Sequence, residues 1–347
     1  MSAMNEDLLT QLRQAKLTGL VRSGFGVALP EGASGRTGSF RSGATLLDGP
    51  RAFVLIDDAQ TTSLGGALVW FVRQDASELH VLVDGEPGVA EVLARQAACF
   101  AAPPQIWRVR DRALESVEAA NPPALPAPLP TGSGELLEML DAAGVDIVVE
   151  HGIVKGEVLG LEVARNVASP GDASSDPGDD RGCTLEVGVG RFDREVGAMM
   201  HADLPGEENL ANAVELVRRH RHVGAERHPL RDLVPERWVR SMVLADPSLV
   251  GAATLAPCDT TIEPPNLRAR QPAAAIGIDD SGRAVIVVCS AGVDVDLVPL
   301  AADTRAWLDP DALLVLAVAV KGLPSVICDV AAMLDRPADV VELAPLF

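Results

Sequence analysis

The chain has 347 residues, with 49 Asp+Glu against 29 Lys+Arg and a formal net charge of −20. Its 48% apolar content is enough to offset the entropy of ordering a core, which excludes a disordered chain, and the length allows two or three domains. The acidic total excludes a general nucleic-acid coat or an anionic-membrane binder, because affinity for phosphate comes from clustered cations; a local basic site is still open.

In chain order, residues 1–20 carry a short amphipathic helix pattern without the basic and apolar regions of a signal peptide. Residues 49–111 then read as turn, strand, helix, short apolar strand, helix and final strand. The segment LHVLV at 79–83 is nearly all apolar, the pattern of a parallel strand buried on both faces. Five prolines and a Gly/Ser tail at 119–134 mark a semi-rigid linker. Beyond it, a helix ends at Gly144, and three strands of an antiparallel meander follow, running from VDIVVEHG through IVKGEVLGLEVARNV to CTLEVGVGRF. SPGDASSDPGDDRG at 169–182 reads as a long acidic hairpin loop. Helices are expected at 192–203, at 207–221 with Leu210, Ala213, Val214 and Val217 on one stripe, and at 235–244. A second break at 257–272 precedes a C-terminal segment that repeats the element order of 49–111.

The resulting expectation is an α/β (mixed α+β) fold of three modules. Two repeated terminal mixed-sheet modules, at 1–118 and 273–347, flank a central antiparallel meander with helices at 135–256, with the linkers at 119–134 and 257–272. The longest apolar run, LLVLAVAV at 313–320, is too short to span a bilayer. Five scattered cysteines without CxxC pairing read as reduced thiols of a cytoplasmic protein.

Two constellations stand out. In the meander, strand parity sets Leu159, Leu161 and Val163 on one face and Leu185, Val187 and Val189 on one face of the next strand. Glu162 and Glu186 then project from a shared glycine-lined surface, as candidate catalytic acids or ligands of a divalent cation; the alternative is a face over which a helix packs closely. The stretch 218–240 is locally about +4 and holds seven arginines, Arg218, Arg219, Arg221, Arg227, Arg231, Arg237 and Arg240, with three of the six histidines. Guanidinium forks suit bidentate contact with phosphate or carboxylate, and the alternative is pairing within the acidic chain. Of the 29 cations 26 are Arg, a skew that codon bias explains; their clustering it does not. No dinucleotide fingerprint, P-loop, GxSxG or HExxH motif is present.

The hairpin positions Asp279-Asp280…Val287-Val288-Cys289-Ser290 and Val54-Leu55-Ile56-Asp57, each followed by helix, strand, helix and strand, resemble the core of PD-(D/E)XK nuclease-like domains. In that family an Asp and a Glu-x-Lys hold a metal and the attacking water. The Glu-x-Lys is absent here, so the resemblance implies two catalytically dead modules and carries over no catalytic residue. The expected function is therefore a non-catalytic scaffold or accessory protein without a cofactor or membrane partner. It would bind a nucleic acid or an acidic protein through 218–240. A metal-dependent hydrolase or nuclease using Glu162, Glu186 and a divalent metal is the alternative.

Overall fold

The structure, a computed structural model, describes residues 3–27, 37–40, 43–125, 134–168, 183–189, 206–264, 266 and 269–346. The acidic loop expected at 169–182 and the helix expected at 192–203 lie outside these residues. The fold is mixed α/β, and its described strands form three sheets of six, four and five strands. The chain divides into two compact units. The first comprises residues 1–123, 294–307 and 324–338, the second 124–293, 308–323 and 339–347.

The first unit opens with helix α1 (Ala3–Phe25) and strands β1 (Thr37–Phe40), β2 (Gly43–Asp48) and β3 (Arg51–Ala59). Then come α2 (Leu64–Phe71), β4 (Glu78–Gly85), α3 (Val89–Ala97), β5 (Gln105–Arg110) and β6 (Ala113–Ser116). They form one sheet in the order β1-β2-β3-β4-β5-β6. β2 and β3 pair antiparallel through the Gly49-Pro50 turn, whereas β3, β4 and β5 run parallel, as the intervening crossover helices require. Residues 79–83 are buried throughout, including His80, as their apolar run predicts. Leu17, Leu20 and Val21 of α1 seal Ala44, Leu46, Phe53, Leu55 and Leu82. At the C-terminal ends of β3 and β4, Asp57 stands in register with Asp84. Lys16 bridges these two carboxylates, while Arg13 Nε donates to Asp57 at 3.0 Å.

Two later helices also belong to this unit: α8 (Leu297–Leu308), through Trp307, and α9 (Ser325–Ala331). Arg95 of α3 donates from Nε and Nη2 to the two carboxylate oxygens of Asp303 at 2.8 and 2.9 Å. Asp296 accepts from the Gly65 N–H at the start of α2. A Cβ at Gly65 would lie 2.0 Å from the Val295 carbonyl, so only glycine permits this approach.

The second unit holds α4 (Gly134–Ala142), β7 (Asp146–Glu150), β8 (Ile153–Val158), β9 (Leu161–Ala168), β10 (Cys183–Val187), α5 (Gly206–His220), α6 (Pro229–Asp232) and α7 (Pro235–Ala245). It also holds β11 (Thr254–Cys258), β12 (Ala273–Ile278), β13 (Ala284–Ala291), β14 (Leu313–Ala319) and β15 (Asp339–Leu343). β10-β9-β8-β7 form an antiparallel sheet, and β11-β12-β13-β14-β15 a mixed one in which β13, β14 and β15 are parallel. The expected break at 257–272 thus begins inside β11, and β11 pairs with β12.

The meander has four described strands where three are expected. IVKGEVLGLEVARNV folds back on itself because Leu159 (φ 48°) and Gly160 (φ 74°) form a two-residue turn with both backbones left-handed, the geometry of a primed hairpin. Leu159 is therefore a turn residue and not a strand neighbour of Leu161. His151 (φ 51°) and Gly152 (φ 74°) repeat the device between β7 and β8. Leu210, Val214 and Val217 of α5 are buried against Leu140, Val154, Leu161 and Val163, as their spacing predicts. Among the described residues no helix is long and apolar enough to cross a membrane.

Candidate functional site

α7 has two apolar-to-polar stripes, set by its 100° residue spacing. Trp238, Val239 and Val243 are buried with Val285, Val287, Cys289, Val315 and Ala317 of the five-stranded sheet. Each such side chain contributes about 1.5–3 kcal/mol of apolar burial. The second stripe, Arg237, Arg240 and Ser241 at i, i+3 and i+4, meets the acids of β7 and β8. Register places Asp146 opposite Glu157 and Val148 opposite Lys155, so these residues and Glu150 share one face of the sheet.

The result is a closed ring of charge. Arg237 reaches Glu150 at 2.8 Å and Glu157 at 3.2 Å. Arg240 bonds to Glu150 through Nη1 and to Glu157 through Nη2, the latter at 2.9 Å. Lys155 Nζ donates to Glu150 at 3.1 Å and Ser241 Oγ to Asp146 at 3.1 Å. Glu150, Lys155, Glu157, Arg237 and Arg240 are all buried. Burial pushes the Glu150 carboxyl up, but Arg240, Arg237 and Lys155 outweigh it and hold the group well below the usual carboxylate range. Glu157, with a smaller share of the same cations, is raised by its burial. The ring is thus a clasp between α7 and the β7–β8 hairpin, in which Arg240 directs both terminal nitrogens at the two glutamates while its buried Nε has no hydrogen-bond partner among the described residues.

Asp259, at the end of β11, extends it. Its carboxylate accepts from the His151 N–H at 3.0 and 3.2 Å and fixes the left-handed turn. Cys258 and Cys289 are buried nearby, and burial pushes both thiols up, Cys289 to about 12. At neutral pH these are protonated thiols without nucleophilic character.

Of the seven arginines, the structure brings Arg237 and Arg240 together in the ring and disperses the rest. Arg221 is fully buried and donates to the carbonyls of Leu159, Leu230, Leu233 and Val234, with its guanidinium 5.0 Å from the Trp238 ring centroid. Burial lowers it to about 10, which leaves it charged at neutral pH. Arg218 caps the Gly144 carbonyl at 2.7 Å, and Arg231 donates to Ala225 and Leu346 carbonyls. Arg219 pairs one turn back with Glu215, both exposed, and Arg227 lies 3.8 Å from Asp232 with its side chain 92% exposed. The cluster in sequence therefore separates into an interior part, Arg221, Arg237 and Arg240, and a rim at the end of α5.

Glu162 and Glu186 have unlike surroundings. Glu162 is buried and stands opposite Glu157 across a bulge, whereas Glu186 stands opposite Arg165 and accepts from its Nε and Nη2 at 3.0 and 2.9 Å. The glycine-lined surface expected beside them is covered at Gly160 by α7, where a Cβ would lie 2.3 Å from the Arg237 carbonyl oxygen. Among the described residues, no group of three or more His, Cys, Asp or Glu side chains is arranged to hold a metal ion. In the C-terminal hairpin, Asp279 accepts from Ser281 and Arg283, bonds that lower its carboxyl to about 2 and fix the turn.

The ring acids were not among the sequence candidates. Glu150, Lys155 and Glu157 alternate with apolar residues as the wet face of a strand does; the available signal was a pair of arginines at i, i+3 flanking a tryptophan. Compared with protein-family models, curated proteins and solved structures, the chain matches none.

Proposed function

We propose that this chain is a non-catalytic accessory protein of the cytoplasm that docks an anionic partner, an acidic protein segment or a nucleic acid, through the rim of its basic stretch. The observation that carries this reading is the grouping of Arg218, Arg219, His220, His222, Arg227 and His228 at the end of α5. Arg218, Arg219, His222 and Arg227 are exposed, and the His220 and His228 rings stack at 3.8 Å. In a chain of −20 the grouping presents exposed guanidinium forks suited to an anion, with Arg219 and Arg227 exchanging Glu215 and Asp232 for the partner's charge. The His220 ring is held below the usual imidazole range by partial desolvation and by His228, Arg219 and His222, so the arginines carry the charge at neutral pH.

The non-catalytic half of the reading is supported by the engagement of the acids: buried Glu150 and Glu157 with Arg237 and Arg240, and half-exposed Glu186 with Arg165. On this reading the two terminal sheets serve as degenerate nuclease-like frameworks. Replacing Arg219 and Arg227 by Glu is expected to abolish retention of a poly-glutamate peptide or a single-stranded oligonucleotide without changing the melting temperature, and adding Arg218→Glu to lower stability only by the lost bond to the Gly144 carbonyl. Arg221 is left intact because its loss would open the interior. Equal retention by wild type and variant of whichever probe binds, or no retention of either by the wild type, would overturn the proposal.

A further inference from the structure

We infer that the outer stripe of α1 is a self-association surface whose occupant is the antiparallel α1 of a second copy of this chain. The rotation of α1 is fixed from inside: Leu17, Leu20 and Val21 are buried, and Arg13 and Lys16 are tied to Asp57 and Asp84. At 100° per residue, Leu8, Leu12, Ala15 and Gly19 fall within a narrow arc on the opposite side. All four are exposed, Leu8 by 53% and Leu12 by 58%, with Leu9 at 43% on the flank.

The stripe is complementary to itself. Its first half carries two large side chains and its second half two small residues. A two-fold axis between Arg13 and Gln14 sets Leu12 opposite Ala15 and Leu8 opposite Gly19, and symmetry makes each contact twice. The same arrangement brings Asp7, near the start of one helix, toward Arg22 in the last turn of its partner, both on the same flank of the stripe. It also sets the opposed ends of the two helix dipoles together. An unrelated apolar partner would engage the leucines but would not require small residues and an arginine at the other end of the stripe.

Sedimentation of the full chain over a concentration series tests this. The wild type is expected to pass from monomer to dimer, and Leu8→Asp with Leu12→Asp to remain monomeric with an unchanged melting temperature. Gly19→Leu separates packing from folding. A Cβ built there meets nothing within 4 Å among the other residues, and the substitution favours helix, yet it fills the seat of Leu8 from the partner. It should raise the dissociation constant about tenfold or more, the scale of one lost buried aliphatic contact. Asp7→Arg should weaken the dimer, and Arg22→Asp in the same chain should restore it. A monomer at every concentration, or a dimer indifferent to the Leu8/Leu12 and Gly19 variants, overturns the inference. So does a monomer whose binding to anionic lipid vesicles depends on Leu8 and Leu12, which would give the stripe to a lipid surface.

Discussion

Arg240 is fully buried and divides its guanidinium between two carboxylates. Arg240→Met preserves bulk but leaves Glu150 and Glu157 with only Arg237 and Lys155. Removing one partner of a buried charge network costs about 3–5 kcal/mol, and the midpoint of urea unfolding should fall accordingly. Glu150 gives the ring one pH dependence, and Glu157, raised by burial, opposes it. The folded Glu150 carboxyl lies below the ordinary 4.5, so the unfolded chain takes up the proton first. The stabilisation is present above that value and is lost progressively as pH falls below it. Acid titration of unfolding free energy should show this slope in the wild type and a shallower one in Arg240→Met. At this scale the sequence revealed that arginines cluster between 218 and 240 but not which of them are interior. Helical spacing alone cannot distinguish a guanidinium in water from one lying against paired glutamates.

The turn at Leu159–Gly160 governs the elements around it. It converts one long apolar segment into β8 and β9, and its Leu159 carbonyl accepts from Arg221 Nε at 2.8 Å. Gly160→Ala is expected to destabilise the chain on two counts. The left-handed backbone costs a residue with a Cβ about 1–2 kcal/mol, and that Cβ would meet the carbonyl of Arg237. Thermal unfolding should therefore shift by more than the backbone term alone. Regular elements were legible because their patterns are strong: the nearly all-apolar runs of β4 and β14, the stripe of α5, and the glycine that ends α4. This turn was not, since a leucine rarely adopts positive φ and nothing local marks it. The tertiary grip of Arg221 and α7 maintains the conformation.

At the scale of the whole molecule, the order of elements could be read from sequence, but the grouping of those elements into units could not. α8 and α9 sit between strands of the five-stranded sheet in sequence, yet through residues 294–307 and 324–338 they belong to the unit built by residues 1–123. The link between Arg95 and Asp303, 208 residues apart, is the most direct sign of this. Asp303 is nearly inaccessible and Arg95 largely so. Asp303→Ala should cost about 3 kcal/mol, the lower end for a broken buried pair. Hydrogen exchange should then quicken in α3 as well as in α8; quickening confined to α8 would contradict a shared unit.

The route of the chain between its two units also bears on the timing of synthesis. The backbone changes unit five times, and the last piece of the first unit is residues 324–338. Translation proceeds at about 5–20 residues per second, so residues 1–123 wait until the segment 324–338 has been made before the last helix of their unit is available. Until then the six-stranded sheet, whose strands all lie between Thr37 and Ser116, has its strands but not both of the late helices of its unit.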